Sequence, residues 1–350
     1  MPFFASARFP RVCRPAASLL ALLVLSGPLP AQAQLWETPQ TTARQPLLRG
    51  AKAEQGGKVL RLGSTALTLD VVAGRVVGVL IEGRDTAGVT RALAGVWGST
   101  AEGAASLQQA FSRPAFQDRA RLGSVQTADE TGTDLLALRL TGRGAEQRWR
   151  GYAAVNVLPE SVFPATRNVT GQRGAPHVLH VLSDFQCPAC RQLWAEQLAA
   201  WRAQPGKYRL HYHHFPLDYH ANAFAAAEAS ECAAKQGTFW KYADRLFKGF
   251  DEWGQAGAPQ AAKLFGSYAG TLGLDRAAFE RCLSTRQTKA EVRRQMQGAE
   301  KTYLRGTPTV YLNGVKLTSF SAGELERIQA VTHARPSAAR VIEERLKTFR

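Results

Sequence analysis

Apolar positions between residues 59 and 157 follow the patterns expected of β-strands, alternating with polar positions or forming short continuous runs. The predicted strands lie within 59–83, 135–140 and 149–157. Residues 86–112 are rich in alanine, which favours one or two helices. The pattern predicts a small α+β domain over residues 34–165, in which the polar stretch 35–57 is expected to be poorly ordered.

From residue 177 onwards, short apolar strands alternate with segments of helical periodicity. The predicted strands are 178–182, 208–215, 309–312 and 315–317, and the main predicted helices are 188–203, 222–234, 238–247, 259–271, 276–283, 286–303, 322–333 and 337–348. Strands connected through helices predict an α/β domain over 176–350. The stretch 166–175, which is rich in glycine and polar residues, is predicted to link the two domains.

The first residues have the layout of a secretory signal peptide. Arginines at positions 8, 11 and 14 precede an apolar stretch from about 16 to 25, and Ala31-Gln32-Ala33 offers a cleavage site. We therefore expect residues 1–33 to be a leader and the protein to be exported, to the periplasm or cell envelope. An uncut N-terminal anchor is the alternative.

The charge of the chain is strongly positive, at +16, but it is not concentrated in any block of the sequence. A dispersed excess of this kind is more typical of a solvated basic surface than of a nucleic-acid site. No nucleic-acid partner is therefore predicted.

Five cysteines are present, and Cys13 lies in the predicted leader. The remaining four are Cys187, Cys190, Cys232 and Cys282. An even number fits two disulfides in an exported protein.

Cys187 and Cys190 follow a predicted strand and open a predicted helix. Pro188 suits the first helical position, where its missing N–H is not needed. Unpaired backbone N–H groups at a helix start stabilise a thiolate, which is the reactive form of cysteine. Cys190, one turn later, is placed to resolve a mixed disulfide formed at Cys187.

Two other readings of the Cys-x-x-Cys motif stay open on the residues alone. The motif can be half of a zinc site, with His211, His213 or His214 as further ligands, or an inert structural disulfide. No second Cys or His pair of suitable spacing accompanies it, so we predict no metal site.

The run from Ser183 to Cys190, Ser-Asp-Phe-Gln-Cys-Pro-Ala-Cys, resembles the active site of the DsbA family of thioredoxin-like oxidoreductases. Further segments that resemble this family are His213-His214-Phe215-Pro216-Leu217 with His220, Cys232 with Gln236-Gly237 and Phe239-Trp240, and Gly306-Thr307-Pro308-Thr309 with Leu312-Asn313-Gly314. The resemblance covers about residues 175–345 and does not extend to the first domain.

The resemblance implies an α/β thioredoxin-like fold with a helical insertion, at about 218–304, between the Cys-x-x-Cys half and the cis-proline half. It also implies that Pro308 follows a cis bond and that Thr307 offers its backbone to an extended substrate peptide. Cys232 and Cys282 would form a structural disulfide inside the insertion, with two buried free thiols as the alternative. The redox-active disulfide would be the only cofactor.

One position departs from the pattern of thioredoxins and of some DsbA proteins. They carry a buried acid six residues before the first cysteine, where this chain has Val181. Asp184 is a candidate to relay a proton to or from Cys190, or to cap the helix.

The function expected from these features is disulfide formation in exported, cysteine-containing proteins, with reoxidation by a membrane redox partner. A reductase or isomerase of the same compartment is the first alternative, and a homodimer formed through the first domain would fit it. The second alternative is a chaperone-like binding module whose Cys-x-x-Cys disulfide is structural.

Overall fold

A computed structural model describes residues 34–123, 125–129 and 131–349, which form two sheets, each with its own apolar core. The predicted leader, residues 1–33, lies outside the described residues. Within the described ranges, no helix combines the length and the apolar composition needed to cross a bilayer.

The first sheet has seven antiparallel strands in the order β1-β2-β3-β4-β7-β6-β5. They are β1 (Lys52–Glu54), β2 (Val59–Leu62), β3 (Thr65–Val72), β4 (Arg75–Gly83), β5 (Val125–Ala128), β6 (Asp134–Thr141) and β7 (Arg148–Val155). The turn between β3 and β4 has positive φ at both Ala73 and Gly74. Such turns match the twist of a hairpin, so the two longest neighbouring strands pair along most of their length.

Helices cover one face of this sheet. They are α1 (Pro39–Ala43), α2 (Thr86–Val96), α3 (Ala101–Ser112) and α4 (Pro114–Leu122). Helix α2 begins where Asp85 accepts a hydrogen bond from the Gly88 N–H at 2.5 Å. The core beneath the helices is apolar and includes the buried side chains Leu93, Phe111 and Trp149. The predicted α+β character of this region matches the structure.

The expectation of poor order for residues 35–57 is wrong. Leu35 and Leu48 are fully buried in the first core, and the Val76 N–H donates to the Glu37 carbonyl. The segment contains too few apolar residues to give a periodic signal. Those few nevertheless remove apolar surface from water, and this holds the segment on the domain.

The second sheet has five strands in the order β12-β11-β9-β10-β8. They are β8 (Val169–Thr170), β9 (His177–Ser183), β10 (Tyr208–His214), β11 (Thr309–Leu312) and β12 (Val315–Lys316). Strands β9 and β10 are parallel and are joined through a helix, whereas β11 runs antiparallel to β9. This is the predicted thioredoxin-like arrangement.

Helices account for most of the rest of this domain. They are α5 (Pro188–Leu193), continued by a π-helical turn (Trp194–Leu198) into α6 (Ala199–Arg202), then α7 (Ala223–Ala234), α8 (Phe239–Lys248), α9 (Phe250–Trp253), α10 (Ala258–Thr271), α11 (Arg276–Ser284), α12 (Lys289–Ala299), α13 (Ala322–His333) and α14 (Ala338–Lys347). Helices α7 to α12 all lie between β10 and β11 in the chain, so they form the predicted helical insertion.

The segment 166–175 is more than a linker, which corrects the predicted boundary. Val169 and Thr170 pair with His211 and Leu210 of β10 and form the edge of the second sheet. A strand of two residues is too short to show alternation, so the sequence pattern does not reveal it. Gly171 ends this edge with φ +91°, where a Cβ atom would lie 2.1 Å from the Tyr208 carbonyl oxygen.

The end of the chain returns to the first domain, although residues 176–350 were predicted to belong wholly to the second. Ile342 and Phe349 are buried in the first core, and Arg345 pairs with Asp70 of β3 at 2.5 Å. Amphipathicity predicts that a helix buries one face, but it does not say which core receives that face. Helix α14 therefore joins the two domains.

Candidate active site

Strand β9 places Cys187 at the start of a helix. The strand ends at Ser183, and the chain turns so that the Cys187 N–H donates to the Asp184 carbonyl at 3.2 Å. Cys187 has extended backbone angles at the N-cap position of α5, and Pro188 follows at the first helical position. The Cys187 carbonyl accepts from the Arg191 N–H and so begins the helical hydrogen-bond pattern.

Both cysteines are free thiols, and they differ in exposure. Cys187 retains 6% of its surface accessible to solvent, whereas Cys190 retains 1%. Attack on a protein disulfide requires an accessible sulfur. Cys187 is therefore the more accessible of the two sulfurs.

Hydrogen bonds hold the pKa of Cys187 far below its ordinary value, at about 5. The largest cause is the hydrogen bond from the Cys190 thiol, and burial opposes the shift. The backbone N–H groups of Cys190 and Ala189 and the side chain of Thr307 lower the pKa further. At neutral pH Cys187 is therefore a thiolate, ready to act as a nucleophile or as a leaving group.

Cys190 has the opposite shift. Burial is the main cause that raises its pKa well above the ordinary value, and its hydrogen bond to Cys187 and the charge there raise it further. The Asp184 N–H donates to its sulfur at 3.5 Å. Cys190 therefore keeps its proton at neutral pH while Cys187 loses one.

A loop from the other half of the domain lies against Cys187. The Thr307-Pro308 peptide bond is cis, and Cys187 Sγ lies 3.3 Å from the Thr307 carbonyl oxygen. Pro308 comes directly before β11, whose pairing with β9 fixes the loop beside the cysteines. The structure thus brings together Cys187, Cys190, Thr307 and Pro308, which the sequence predicted for this site.

Asp184 lies at the site, but its contacts are not those of a helix cap. Its Oδ1 accepts from the Gln186 N–H at 2.7 Å. Its Oδ2 accepts from the Leu217 N–H at 2.9 Å and lies 2.6 Å from His220 Nδ1. Cys187, and not Asp184, occupies the N-cap position. The buried carboxylate connects the cysteine loop to the segment after β10.

Gln186 is a positioning residue that the sequence analysis did not single out. Its Oε1 accepts from the Asn222 N–H at 2.6 Å, and its Nε2 donates to the Gly254 carbonyl at 2.6 Å. The side chain therefore ties the residue before Cys187 to the start of α7 and the end of α9. Only its place between Asp184 and Cys187 in the motif could have pointed to it.

The departure at Val181 leaves an apolar side chain beneath the cysteines. Val181 is 1% exposed and belongs to the same apolar cluster as Cys187 and Cys190. An apolar neighbour cannot exchange protons. Val181 therefore offers Cys190 no proton acceptor.

Cys232 of α7 and Cys282 of α11 form a disulfide in the structure, with Cα atoms 5.9 Å apart. The bond joins two helices of the insertion and closes a loop of 50 residues. Both sulfurs are buried in the core that also holds the active-site cysteines. The alternative of two free buried thiols does not apply.

The histidines of β10 do not complete a metal site with the cysteines. His213 Nε2 lies 2.9 Å from His180 Nδ1, and the His211 ring lies tilted against the His180 ring with centroids 4.9 Å apart. His214 instead lies 3.0 Å from the Glu231 carboxylate. Among the described residues, the metal-ligating side chains that come together include neither active-site cysteine.

Solved structures of similar fold include BdbD from Bacillus subtilis and alpha-DsbA1 from Wolbachia pipientis. The first aligns with a TM-score of 0.42 and 18% identity and covers 53% of this chain and 96% of its own. The second aligns with a TM-score of 0.41 and 19% identity, and the alignment covers 53% of this chain and 98% of alpha-DsbA1.

Similar curated sequences are named Na(+)/H(+) antiporter NhaA 1. The one from Salinispora arenicola is 33% identical over 205 residues, which is 56% of this chain and 30% of the relative. The one from Mycobacterium sp. (strain KMS) is 31% identical over 283 residues, 72% of this chain and 43% of the relative. The chain thus spans less than half the length of these relatives.

The family model described as Thioredoxin matches residues 165–329, which include every strand of the second sheet and the helical insertion. The match contains the Cys-x-x-Cys helix and the cis-proline loop that faces it. Residues 165–329 are therefore similar to the thioredoxin family in sequence, and their fold is thioredoxin-like.

Proposed function

We propose that this protein catalyses thiol–disulfide exchange at Cys187 and Cys190, and that its role is to oxidise the thiols of exported proteins. The observation that carries the proposal is the contrast between the two sulfurs. Cys187 has a pKa of about 5 and faces the Thr307 loop, whereas buried Cys190 has a raised pKa.

The reaction starts from the disulfide between Cys187 and Cys190. A substrate thiolate attacks Cys187 Sγ, a mixed disulfide forms, and Cys190 leaves and takes up a proton. A second thiolate of the substrate then attacks the substrate sulfur of the mixed disulfide and releases Cys187 as a thiolate. The substrate has lost two electrons to form its disulfide, and the enzyme has gained them as a dithiol.

The pKa of Cys187 favours this direction. A thiol of low pKa is a good leaving group, so the second step is fast. Stabilising the thiolate also stabilises the reduced enzyme, which makes its disulfide more oxidising. The value of about 5 falls between about 3.5 for DsbA, a strong oxidant, and about 7 for thioredoxin, a reductant.

The Thr307 loop is the proposed binding edge for the substrate. Its carbonyl lies 3.3 Å from Cys187 Sγ, so a peptide paired with this backbone would carry its cysteine to the reactive sulfur. Pairing through main-chain atoms depends little on the peptide's side chains. This suits an enzyme that acts on many unfolded polypeptides.

The proposal also requires that the protein is exported and that its cysteine pair is reoxidised after each turnover. The signal-peptide pattern in residues 1–33 supports a periplasmic or envelope location, where disulfides persist. Each turnover leaves the enzyme reduced, so a membrane redox partner must take two electrons from it. The homodimer through the first domain stays a prediction.

A cysteine peptide activated as its thionitrobenzoate mixed disulfide tests the chemistry. The reduced wild-type chain should release one equivalent of thionitrobenzoate and then free peptide, as Cys190 resolves the intermediate. The Cys190→Ser variant should release the same equivalent but keep the peptide attached at Cys187.

The matched control is Cys187→Ser, which keeps only the buried Cys190 and should release almost no thionitrobenzoate. If Cys187→Ser reacts as fast as Cys190→Ser, Cys187 is not the nucleophile and the proposal fails. If neither variant reacts faster than free cysteine, the motif is not catalytic, and a binding module with a structural disulfide is favoured.

A further inference from the structure

A second cluster of reactive side chains lies on the face of β9 turned away from the Cys-x-x-Cys helix. It consists of His180 of β9, His211 of β10 and Glu160, whose ligand atoms all lie within 4.8 Å of one another. His180 and His211 are directly paired in the parallel register of the two strands. Glu160 belongs to the 3₁₀ turn Glu160–Val162, in the segment that leaves the first domain.

We propose that Glu160, His180 and His211 bind a zinc ion. Two imidazoles and one carboxylate are a ligand set that zinc prefers, and three protein ligands leave a fourth position for water. The site is separate from the cysteines and plays no part in the exchange reaction proposed above.

His180 is held in the orientation that a metal ligand needs. Its ring stacks on Phe163 with centroids 3.8 Å apart and planes 4° from parallel. Its Nδ1 lies 2.9 Å from His213 Nε2, and its Nε2 faces Glu160 at 2.9 Å. A partner on one ring nitrogen that directs the other nitrogen at the ion is typical of metal-binding histidines.

The three ligand atoms lie within 4.8 Å of one another, and an ion would draw them closer together. With zinc bonds of about 2.0 to 2.2 Å, ligand atoms in a tetrahedral site lie about 3.3 Å apart. The 2.9 Å between His180 Nε2 and Glu160 Oε2 is close to this value. Glu160 can adjust its own position, because its side chain is 66% exposed whereas that of His180 is 1% exposed. The gap between His180 and His211 would close through a movement of the half-buried His211 side chain.

Arg209 is the group that competes with the ion. Its Nε donates to His211 Nε2 at 3.3 Å, where its positive charge opposes a cation. Removing this charge should therefore strengthen zinc binding. A change outside the ligand set that tightens binding would be hard to explain by non-specific attachment of zinc to surface histidines.

Bound zinc would tie the two domains together. Glu160 lies in the segment between β7 and β8, and the two histidines lie in the central strands of the second sheet. The ion would hold the segment on that sheet, so zinc should raise the melting temperature of the chain. Such a site is a structural crosslink with one coordination position open to water.

Calorimetric titration with zinc sulfate tests the proposal. The titration uses the chain from residue 34 with both active-site cysteines changed to serine, because thiolates would compete for zinc. We expect one equivalent to bind. Glu160→Gln and His211→Gln should each weaken binding at least tenfold, whereas Arg209→Gln should strengthen it.

Glu300→Gln, which changes another exposed glutamate of the same domain, should leave zinc binding unchanged. Because Glu160 is exposed, its variant should fold as the parent does, which a circular dichroism melt without zinc would check. Absence of stoichiometric binding overturns the proposal. So does binding that is unaltered in both Glu160→Gln and His211→Gln.

Discussion

Cys187 and Cys190 are three residues apart, yet their surroundings divide the chemistry between them. Cys187 receives hydrogen bonds from Cys190 and from backbone N–H groups, and these stabilise its thiolate. Cys190 sits beneath the surface, where burial opposes its ionisation. The first sulfur can therefore exchange with a substrate while the second stays available to close the disulfide.

The pKa of Cys187 sets the pH dependence of its reactivity. The rate of alkylation by iodoacetamide should follow the thiolate fraction, rising with pH through a midpoint near 5 and levelling off above it. Cys187→Ser should remove this phase. A midpoint near the ordinary cysteine value of about 8.5 would show that the thiolate is not stabilised.

The same shift links the stability of the reduced protein to pH. The pKa of Cys187 is lower in the folded chain than in the unfolded one, so its contribution to stability is fully present above the unfolded value. That contribution is lost as pH falls through about 5. Cys187→Ser lacks this contribution.

Asp184 is a structural anchor of the site, since its carboxylate already binds Gln186, Leu217 and His220. Asp184→Asn should lower the free energy of unfolding by about 2 kcal/mol, because buried hydrogen bonds to a charge are lost. The alkylation midpoint of Cys187 should stay near 5. Loss of mixed-disulfide resolution without loss of stability would instead assign Asp184 to proton transfer.

At the residue scale, short sequence motifs identified the site residues. Contacts between residues that are far apart in the chain could not be predicted in this way. Cys187, Cys190, Thr307 and Pro308 stand in short motifs, and the structure brings them together. The contacts of Asp184 were not predictable, because Leu217 and His220 lie 33 and 36 residues further along the chain. Nothing in the local pattern indicates which distant backbone a buried carboxylate will bind.

At the scale of elements, the helical insertion is the main addition to the thioredoxin-like sheet. Its helices α7 and α11 are joined by the disulfide between Cys232 and Cys282, and Thr288 Oγ1 lies close to the Cys232 sulfur. The bond closes a long loop, so it constrains the unfolded chain strongly. The bond thereby holds two helices of the insertion together.

Replacing both of these cysteines by serine should destabilise the oxidised chain. The loop of 50 residues corresponds to an upper limit of about 4 kcal/mol in the chain-entropy model. Urea unfolding measures the loss, and the potential of the Cys187 and Cys190 pair should stay the same. A large change in that potential would mean that the second disulfide exchanges with the first.

Long elements of secondary structure could be predicted from the sequence more clearly than short ones. Strand β3 shows alternation, β4 shows a near-continuous apolar run, and Asn313-Gly314 marks the hairpin of β11 and β12. Strand β8 has two residues and escaped prediction. The burial of Leu35 and Leu48 also escaped it, since isolated apolar residues carry no periodic signal.

At the scale of the whole molecule, the two domains are joined by more than the connecting segment. Helix α14 comes after the thioredoxin-like sheet but packs on the first sheet, where Arg345 and the Tyr152 hydroxyl share the Asp70 carboxylate. Val157, just beyond β7, forms a bridge with Val315 of β12. The relative position of the domains is therefore set by apolar and charged contacts together.

Arg345→Gln should loosen this junction. It leaves Asp70 largely buried without its cation, at a cost of about 2 kcal/mol given the partial exposure of Arg345. Hydrogen exchange should become faster in β3 and β4 of the first domain. Arg340→Gln, an exposed change on the same helix, is the control, and equal effects of the two variants would contradict the role of this pair.

Positive charges that are dispersed along the sequence also come together in space on the first domain. Five arginines, Arg61, Arg84, Arg139, Arg148 and Arg150, line one cavity of about 520 Å³ on the first domain. They come from different strands, and Arg139 is paired with Arg150 across β6 and β7. Strand pairing assembles the group, so a scan for charged blocks along the chain cannot find it.

The most direct test of the proposed function is the reduction potential of the Cys187 and Cys190 pair. It is measured on the chain from residue 34 by equilibration with reduced and oxidised glutathione. We expect a value well above that of thioredoxin and towards that of the strong oxidant DsbA, about −120 mV, because the Cys187 thiolate stabilises the reduced enzyme. A value near that of thioredoxin, about −270 mV, would contradict the role as an oxidase and favour a reductase.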